Sequence, residues 1–328
     1  MGTLYIDRRG TKLDYAHKAL LIREPDKQPR SVPLNLLERL VVIGNVELTS
    51  NVLTNLGASG IGVTFMPARG QNRSSFMRSE SHGDSTRRLG QYELATTQPN
   101  DPVWAIKLIR LRLASQHRLL HQALIHRPEQ RQPIFCALEE IDRMRSHLRH
   151  SSQSLTLEQS RGYEGSATAA FFRGYTSLFP ESLGFKSRNR RPPRDPVNAI
   201  LSLGYALAHG DALRATMASG LDPAIGFLHQ PAWGRDSLAC DLTEIARSRV
   251  EQLTWHLFAN RSLRAGDFST DSDGEGVRLR KSARCNFFAC WEAHAKLHRR
   301  WQKRAANTIA SHCLHLGKSL NPGNSEYD

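Results

Sequence analysis

The hydrophobic pattern of this chain changes period once, and that change constrains its fold more than any other feature. Through residue 72 the apolar runs are short: Leu4-Tyr5-Ile6, Ala19-Leu20-Leu21-Ile22 and Leu40-Val41-Val42-Ile43, separated by Arg8-Arg9-Gly10, Pro25-Asp26 and Gly44-Asn45. Runs of that length between turn-forming residues predict strands. Ser50 to Leu56 carries Val52, Leu53 and Leu56 at helical spacing and stops at Gly57, and Ile61 to Phe65 follows as a further strand. From Arg87 onward long amphipathic stretches take over, clearest at 106–126, 134–150, 198–220 and 241–260, with Pro and Gly confined to their ends. The pattern predicts an α+β chain. A small N-terminal β lobe with one helix occupies 1–72, a polar linker 73–86, and a larger all-α lobe 87–316; the polar end, 317–328, is expected to be disordered.

Charge narrows the partners. The chain has 45 Lys and Arg against 31 Asp and Glu, a net +14 with histidine neutral. Such an excess attracts a polyanion, most often nucleic acid. A membrane is the weaker partner, because no uninterrupted apolar stretch approaches the roughly 18 residues a spanning helix needs, and Met1 to Arg9 lacks the apolar core of a signal peptide. Five cysteines, Cys136, Cys240, Cys285, Cys290 and Cys313, are too few and too odd for a disulfide framework, so reduced thiols in a cytoplasm are expected.

Several attractive motifs fail on their own geometry. Gly57-Ala58-Ser59-Gly60-Ile61-Gly62 follows a helix where a dinucleotide loop needs a strand, so it reads as a cap and turn. Gly317-Lys318-Ser319 lacks the earlier glycine of a phosphate loop, since His312 stands there. Aligning Gly274 to the glycine of a calcium loop places Ser269 and Arg280 at its first and last ligands, which leaves Asp271 and Asp273 as an acidic turn. Cys285, Cys290, His294 and His298 resemble a zinc set, but on one helix Cys290 and His298 would stand about 12 Å apart. No Gly-x-Ser-x-Gly elbow or other local signature marks a covalent nucleophile.

Three segments carry chemistry. Glu164 is a lone carboxylate within Arg161 to Phe172, among Gly, Ala and Phe, and burying it is costly unless a cation or hydrogen-bond donor compensates it. His229 ends the apolar stretch Gly226-Phe227-Leu228. Asp241 and Glu244, three apart in Ser237 to Glu244, share a helix face. Singly, each has an ordinary structural reading: a salt bridge, a core histidine, an acidic helix start. Together they form a hard oxygen and nitrogen donor set suited to Mg2+ or Mn2+ rather than zinc, and in a chain of +14 they point to metal-assisted phosphodiester chemistry.

The order Tyr163-Glu164-Gly165, then residues 191–205 (RPPRDPVNAILSLGY), then 220–229 (GLDPAIGFLH), then 237–244 (SLACDLTE), resembles the CRISPR-associated integrase and endonuclease family. The N-terminal block, with Gly44-Asn45-Val46-Glu47-Leu48-Thr49-Ser50, is similar too, so the resemblance spans nearly the whole chain. One departure is that Ile245-Ala246-Arg247-Ser248 follows the acidic pair where the family usually has Phe-Arg-Pro. The resemblance implies a homodimer through the β lobes, a small ferredoxin-like partner protein that bridges two dimers, and Glu164, His229 and Glu244 as metal ligands with Asp241 beside them. It also implies the reaction: joining the 3′-hydroxyl ends of short DNA (prespacers) to CRISPR repeat DNA, or cutting branched DNA. Asp241 is left three possible roles, holding a second ion, a water, or His229 in one tautomer.

Lys186, Arg188, Arg190, Arg191 and Arg194 crowd nine residues between Glu164 and the next helix, well placed to clamp DNA phosphates. His294 to Arg304, with Trp291 and Trp301 nearby, reads instead as a helix with core tryptophans and an exposed basic face. The alternatives to an integrase are a structure-specific repair nuclease that uses water, and a basic DNA-binding scaffold whose acids are structural.

Overall fold

The computed structural model describes residues 2–67, 74–77, 83–98, 101–150, 155–190, 192–270 and 276–320. It divides into two compact units at His82/Gly83. That division falls within the stretch read as a linker, 73–86.

The first unit contains β1 (Gly2–Ile6), β2 (Lys12–Ala16), β3 (Ala19–Arg23), β4 (Arg30–Pro33), β5 (Leu37–Ile43), β6 (Glu47–Leu48), α1 (Ser50–Ala58), β7 (Gly62–Met66) and β8 (Ser75–Met77). Two four-stranded sheets result, ordered β1-β5-β7-β8 and β4-β3-β2-β6. β5 pairs in parallel with both β1 and β7. Its unbroken Leu40-Val41-Val42-Ile43 run is buried, as a central parallel strand requires. On β3, Leu20 and Ile22 alternate inward and join Leu13, Val52, Leu56 and Val63 in the core. The Thr49 hydroxyl caps α1. This is the small β-rich lobe with one helix that the apolar period predicts. Its sheet extends further than the sequence suggests, because Ser75–Met77 pairs with β7.

The second unit is helical: α2 (Thr86–Thr97), α3 (Val103–His126), α4 (Arg131–His150), α5 (Leu157–Thr176), α6 (Pro196–Ala218), α7 (Ser237–Ala259) and α8 (Lys281–Leu320). A short antiparallel hairpin, β9 (Phe268–Thr270) with β10 (Val277–Leu279), precedes α8. The four amphipathic stretches correspond to α3, α4, α6 and α7. Asp195 caps α6 by accepting the Asn198 N–H, with Pro196 in the first turn. α8 runs to Leu320, past the start of the expected tail, because Gly317 lets it close on α2: a Cβ there would stand 2.1 Å from the Thr86 carbonyl oxygen. Gly317-Lys318-Ser319 is therefore helix. Asp271, Asp273, Gly274 and residues 321–328 lie outside the described residues.

α7 is the organising helix. It packs against α3, α6 and α8, and residues on every side of it are buried, among them Leu238, Leu242, Ala246, Val250 and Leu257. A helix enclosed on all sides cannot keep its polar residues in water. Asp241, Glu244 and Glu251 are nevertheless on it, at 0%, 2% and 0% exposure. Each needs a partner from a neighbouring element, and those partners make the site.

All five cysteines are free thiols. Of the zinc-like set on α8, Cys285 is exposed while His298 is fully buried. His294 donates from Nε2 to the Arg249 carbonyl, and burial pushes its imidazole down to about 4.

Candidate functional site

Helices α3, α5 and α7 converge with the loop before α7 on a cavity of about 350 Å³ lined by Arg112, Arg161, Glu164, His229, Arg235 and Glu244. Glu164 reaches it from α5, whose start is fixed by a capping box between Thr156 and Gln159. Gly162 and Gly165 flank it on the exposed side of α5, so Glu164 is 22% exposed rather than fully enclosed. Its Oε1 also accepts from the Thr168 hydroxyl one turn later, at 2.9 Å.

The compensating cation that a buried Glu164 demands is Arg112, which sequence reasoning missed. Its Nη1 donates both to Glu164 Oε1 and to Glu244 Oε2, so one guanidinium nitrogen holds two carboxylates. Glu244 is tied from the other side by Arg247 Nε at 2.7 Å. Burial alone would raise the Glu244 carboxyl, but the charges of Arg112 and Arg247 hold it below the ordinary value. The arginine that follows the acidic pair is thus engaged with Glu244 itself.

Asp241 is placed differently from its helix neighbour. Oδ2 accepts the backbone N–H groups of Phe227 and Leu228 at 2.6 and 3.0 Å, and Oδ1 accepts the His229 N–H at 2.8 Å and its ring Nδ1–H at 2.7 Å. Since a carboxylate only accepts, Nδ1 carries a proton and Nε2 is left to face the cavity. The turn that makes this possible needs Gly226, where a Cβ would sit 2.6 Å from the His229 carbonyl oxygen and 2.7 Å from Ser237 carbonyl carbon. Arg161 then closes the loop by donating from Nε to the Leu228 carbonyl at 2.9 Å.

Among the described residues no three His, Cys, Asp or Glu side chains form a group that could hold a metal ion as they stand. The physical reason is that Asp241 is saturated by the loop and Arg112 sits between the two glutamates. The donors nevertheless suit a hard divalent ion: two carboxylates already gathered on one positive charge, beside an imidazole whose Nε2 is not engaged by Asp241.

The basic segment splits into two parts. Arg188 turns inward, donating to Asn198 Oδ1 at 2.8 Å and Ser202 Oγ at 3.1 Å, and stacks over Tyr205 at 5.4 Å. Lys186, Arg190 and Arg194 are exposed. Arg191 lies outside the described residues.

Fold and site define a class, an α+β protein whose helical unit is built around one acidic, histidine-bearing and arginine-bearing cavity. The family model for CRISPR associated protein Cas1 matches residues 4–293, and the chain belongs to that family. The CRISPR-associated endonuclease Cas1 1 of Thermodesulfovibrio yellowstonii is 33% identical over 292 residues, covering 89% of this chain and 91% of that protein. Among solved structures, a casposase bound to its integration product has a TM-score of 0.79 at 18% identity, covering 95% of this chain and 91% of that one. A chain of a Cas6-RT-Cas1–Cas2 complex has a TM-score of 0.77 at 20% identity, covering 96% of this chain and 35% of that one. At such identities the structural likeness speaks for the fold.

Proposed function

We propose that this chain is a divalent-metal-dependent DNA integrase and endonuclease of CRISPR adaptation, joining 3′-hydroxyl ends of short DNA to repeat DNA by transesterification. The observation that carries this reading is the convergence of Glu164 and Glu244 on one buried guanidinium beside the open Nε2 of His229. In this reading Glu164, Glu244 and His229 hold Mg2+ or Mn2+. When bound, such an ion lowers the pKa of an attacking hydroxyl and offsets charge on phosphoryl oxygens. The nucleophile comes from the DNA, so the chain needs no serine or cysteine elbow. The resemblance suggests the rest of the assembly, a homodimer and a small ferredoxin-like partner, and the structurally similar Cas6-RT-Cas1 chain is found in a complex with Cas2. No described helix is long and apolar enough to cross a membrane.

Asp241 is a positioning residue here, because it fixes the tautomer of His229 and the loop that carries it. Asp241→Asn replaces one acceptor oxygen by an NH2 that faces existing donors. Activity should fall on the order of 10- to 100-fold, with a lowered melting temperature, in a cleavage assay run beside a thermal melt. Native activity would remove Asp241 from the mechanism.

DNA contact is proposed for the exposed cations of the 186–194 segment. Changing Lys186, Arg190 and Arg194 to Gln should reduce the log-log salt slope of duplex binding by about 0.9 for each one that touches phosphate. Arg188→Gln, which breaks an internal contact set, should lower stability with little change in that slope. An unchanged slope in the triple variant would return the segment to a solvated loop.

A further inference from the structure

Two polar atoms close to the site, on Arg112 and Glu251, are buried without a hydrogen-bond partner. Arg112 uses Nη1 for Glu164 and Glu244, yet its Nε is buried with no hydrogen-bond partner. Glu251 lies seven residues beyond Glu244, two turns along the same face of α7. Its Oε1 accepts from the Tyr205 hydroxyl at 2.7 Å, while its Oε2 is buried and unpartnered. Among the described residues this is the carboxylate oxygen that is both enclosed and without a donor. Such an atom costs free energy and calls for an occupant.

Arg112 is within electrostatic reach of it. Burial raises the Glu251 carboxyl, and the largest opposing influence is the charge of Arg112, ahead of the Tyr205 hydrogen bond and the charge of Arg247. α3 packs on α7, and Gln116, one turn beyond Arg112 on α3, is also buried with both amide atoms unpartnered. The α3 face that carries Arg112 therefore has unused hydrogen-bonding capacity.

The guanidinium cannot stay where it is once a divalent ion is held by Glu164 and Glu244. Its Nη1 occupies the point on which both carboxylates converge, and two positive charges a few ångströms apart in a buried site repel strongly. We propose that Arg112 is an exchangeable internal cation, neutralising Glu164 and Glu244 while the ion is away and turning to Glu251 when the ion enters. Glu251 is then a positioning residue for the loaded site, and Tyr205 holds it in place. This rests on the metal reading given above. The consequence is a site that pays no charge-repulsion penalty when empty and expels its own cation when filled.

The test is Mn2+ binding, followed by electron paramagnetic resonance of the free ion, on the full chain. Glu251→Gln keeps the shape and the Tyr205 contact but removes the charge that receives Arg112, and should weaken Mn2+ about tenfold. Arg112→Gln should bind Mn2+ more tightly than the native chain, and adding Glu251→Gln to it should change affinity less than twofold. An equal loss from Glu251→Gln in both backgrounds, or none in either, would overturn the exchange. Glu164→Gln is the reference: if it leaves Mn2+ binding untouched, the metal reading fails first and the exchange with it. Should Arg112→Gln not fold, a crystal structure of the native chain grown with Mg2+ decides. Arg112 on Glu251 supports the exchange, and Arg112 still between Glu164 and Glu244 beside the ion overturns it.

Discussion

Glu164→Ala should abolish cleavage and strand transfer, a loss on the order of 10²- to 10³-fold or more, while duplex affinity stays within a few-fold. Glu164 and Glu244 reach Arg112 from different helices, and removing one of them leaves a single carboxylate to hold any incoming ion. The exposed Lys186, Arg190 and Arg194 are untouched by the change, so the phosphate attraction of a +14 chain persists. Stability should change modestly, because Glu164 is partly exposed and Arg112 retains Glu244. Glu244→Ala is the harsher companion: it leaves Arg112 and Arg247 both short of a buried carboxylate, and unfolding accompanies the loss of activity. The measurements are cleavage of a branched DNA with Mg2+ or Mn2+, a gel-shift titration and a thermal melt on the same preparations. Near-native activity of Glu164→Ala would sink the proposed site.

The difference between those two glutamates shows what a linear sequence reveals and what it conceals. The change of period near residues 72–87 is a property of neighbours in sequence, so the β-rich unit and the helical unit were both legible, as were α1, α3, α4, α6 and α7. Asp241 and Glu244 stood out by their spacing on one helix face, and Glu164 and His229 as polar residues in apolar settings. Arg112 has the same signature. It falls on the apolar face of α3 between Ile109 and Leu113, and a cation there requires a buried anion. That signal was present but lost among the many arginines of a basic chain. Holding His229 in one tautomer was among the three roles open to Asp241 in the sequence, but neither the choice among them nor the inward contacts of Arg188 was legible, since these depend on the turn at Gly226 and on Asn198, which bring groups together only after folding. β8 and the far end of α8 escaped for a related reason: pairing with β7 and packing against Thr86 are contacts distant in sequence.

The second large effect separates integration from hydrolysis. On the metal reading both reactions would draw on the same bound ion chemistry and differ in the nucleophile, water or a DNA 3′-hydroxyl, so site mutations cannot tell them apart. A 3′-dideoxy end can. An integrase must hold that hydroxyl in line with the target phosphate, and a positioned intramolecular attack outruns one by free water by a large effective molarity. On the proposed mechanism a single cavity would join only one end, so full integration would call for paired copies and a bridging partner. Alone, the chain should cut or rejoin branched DNA weakly. With a Cas2-type partner, a labelled short duplex should be joined to repeat-bearing DNA, and the same duplex ending in a 3′-dideoxynucleotide should give no joined product. Robust hydrolysis with no joining under any partner condition would favour the repair-nuclease reading, and stable binding with neither reaction would favour a scaffold. Equal joining of the dideoxy end would show that the attacking group is not the 3′-hydroxyl, and would remove transesterification by that end from the mechanism.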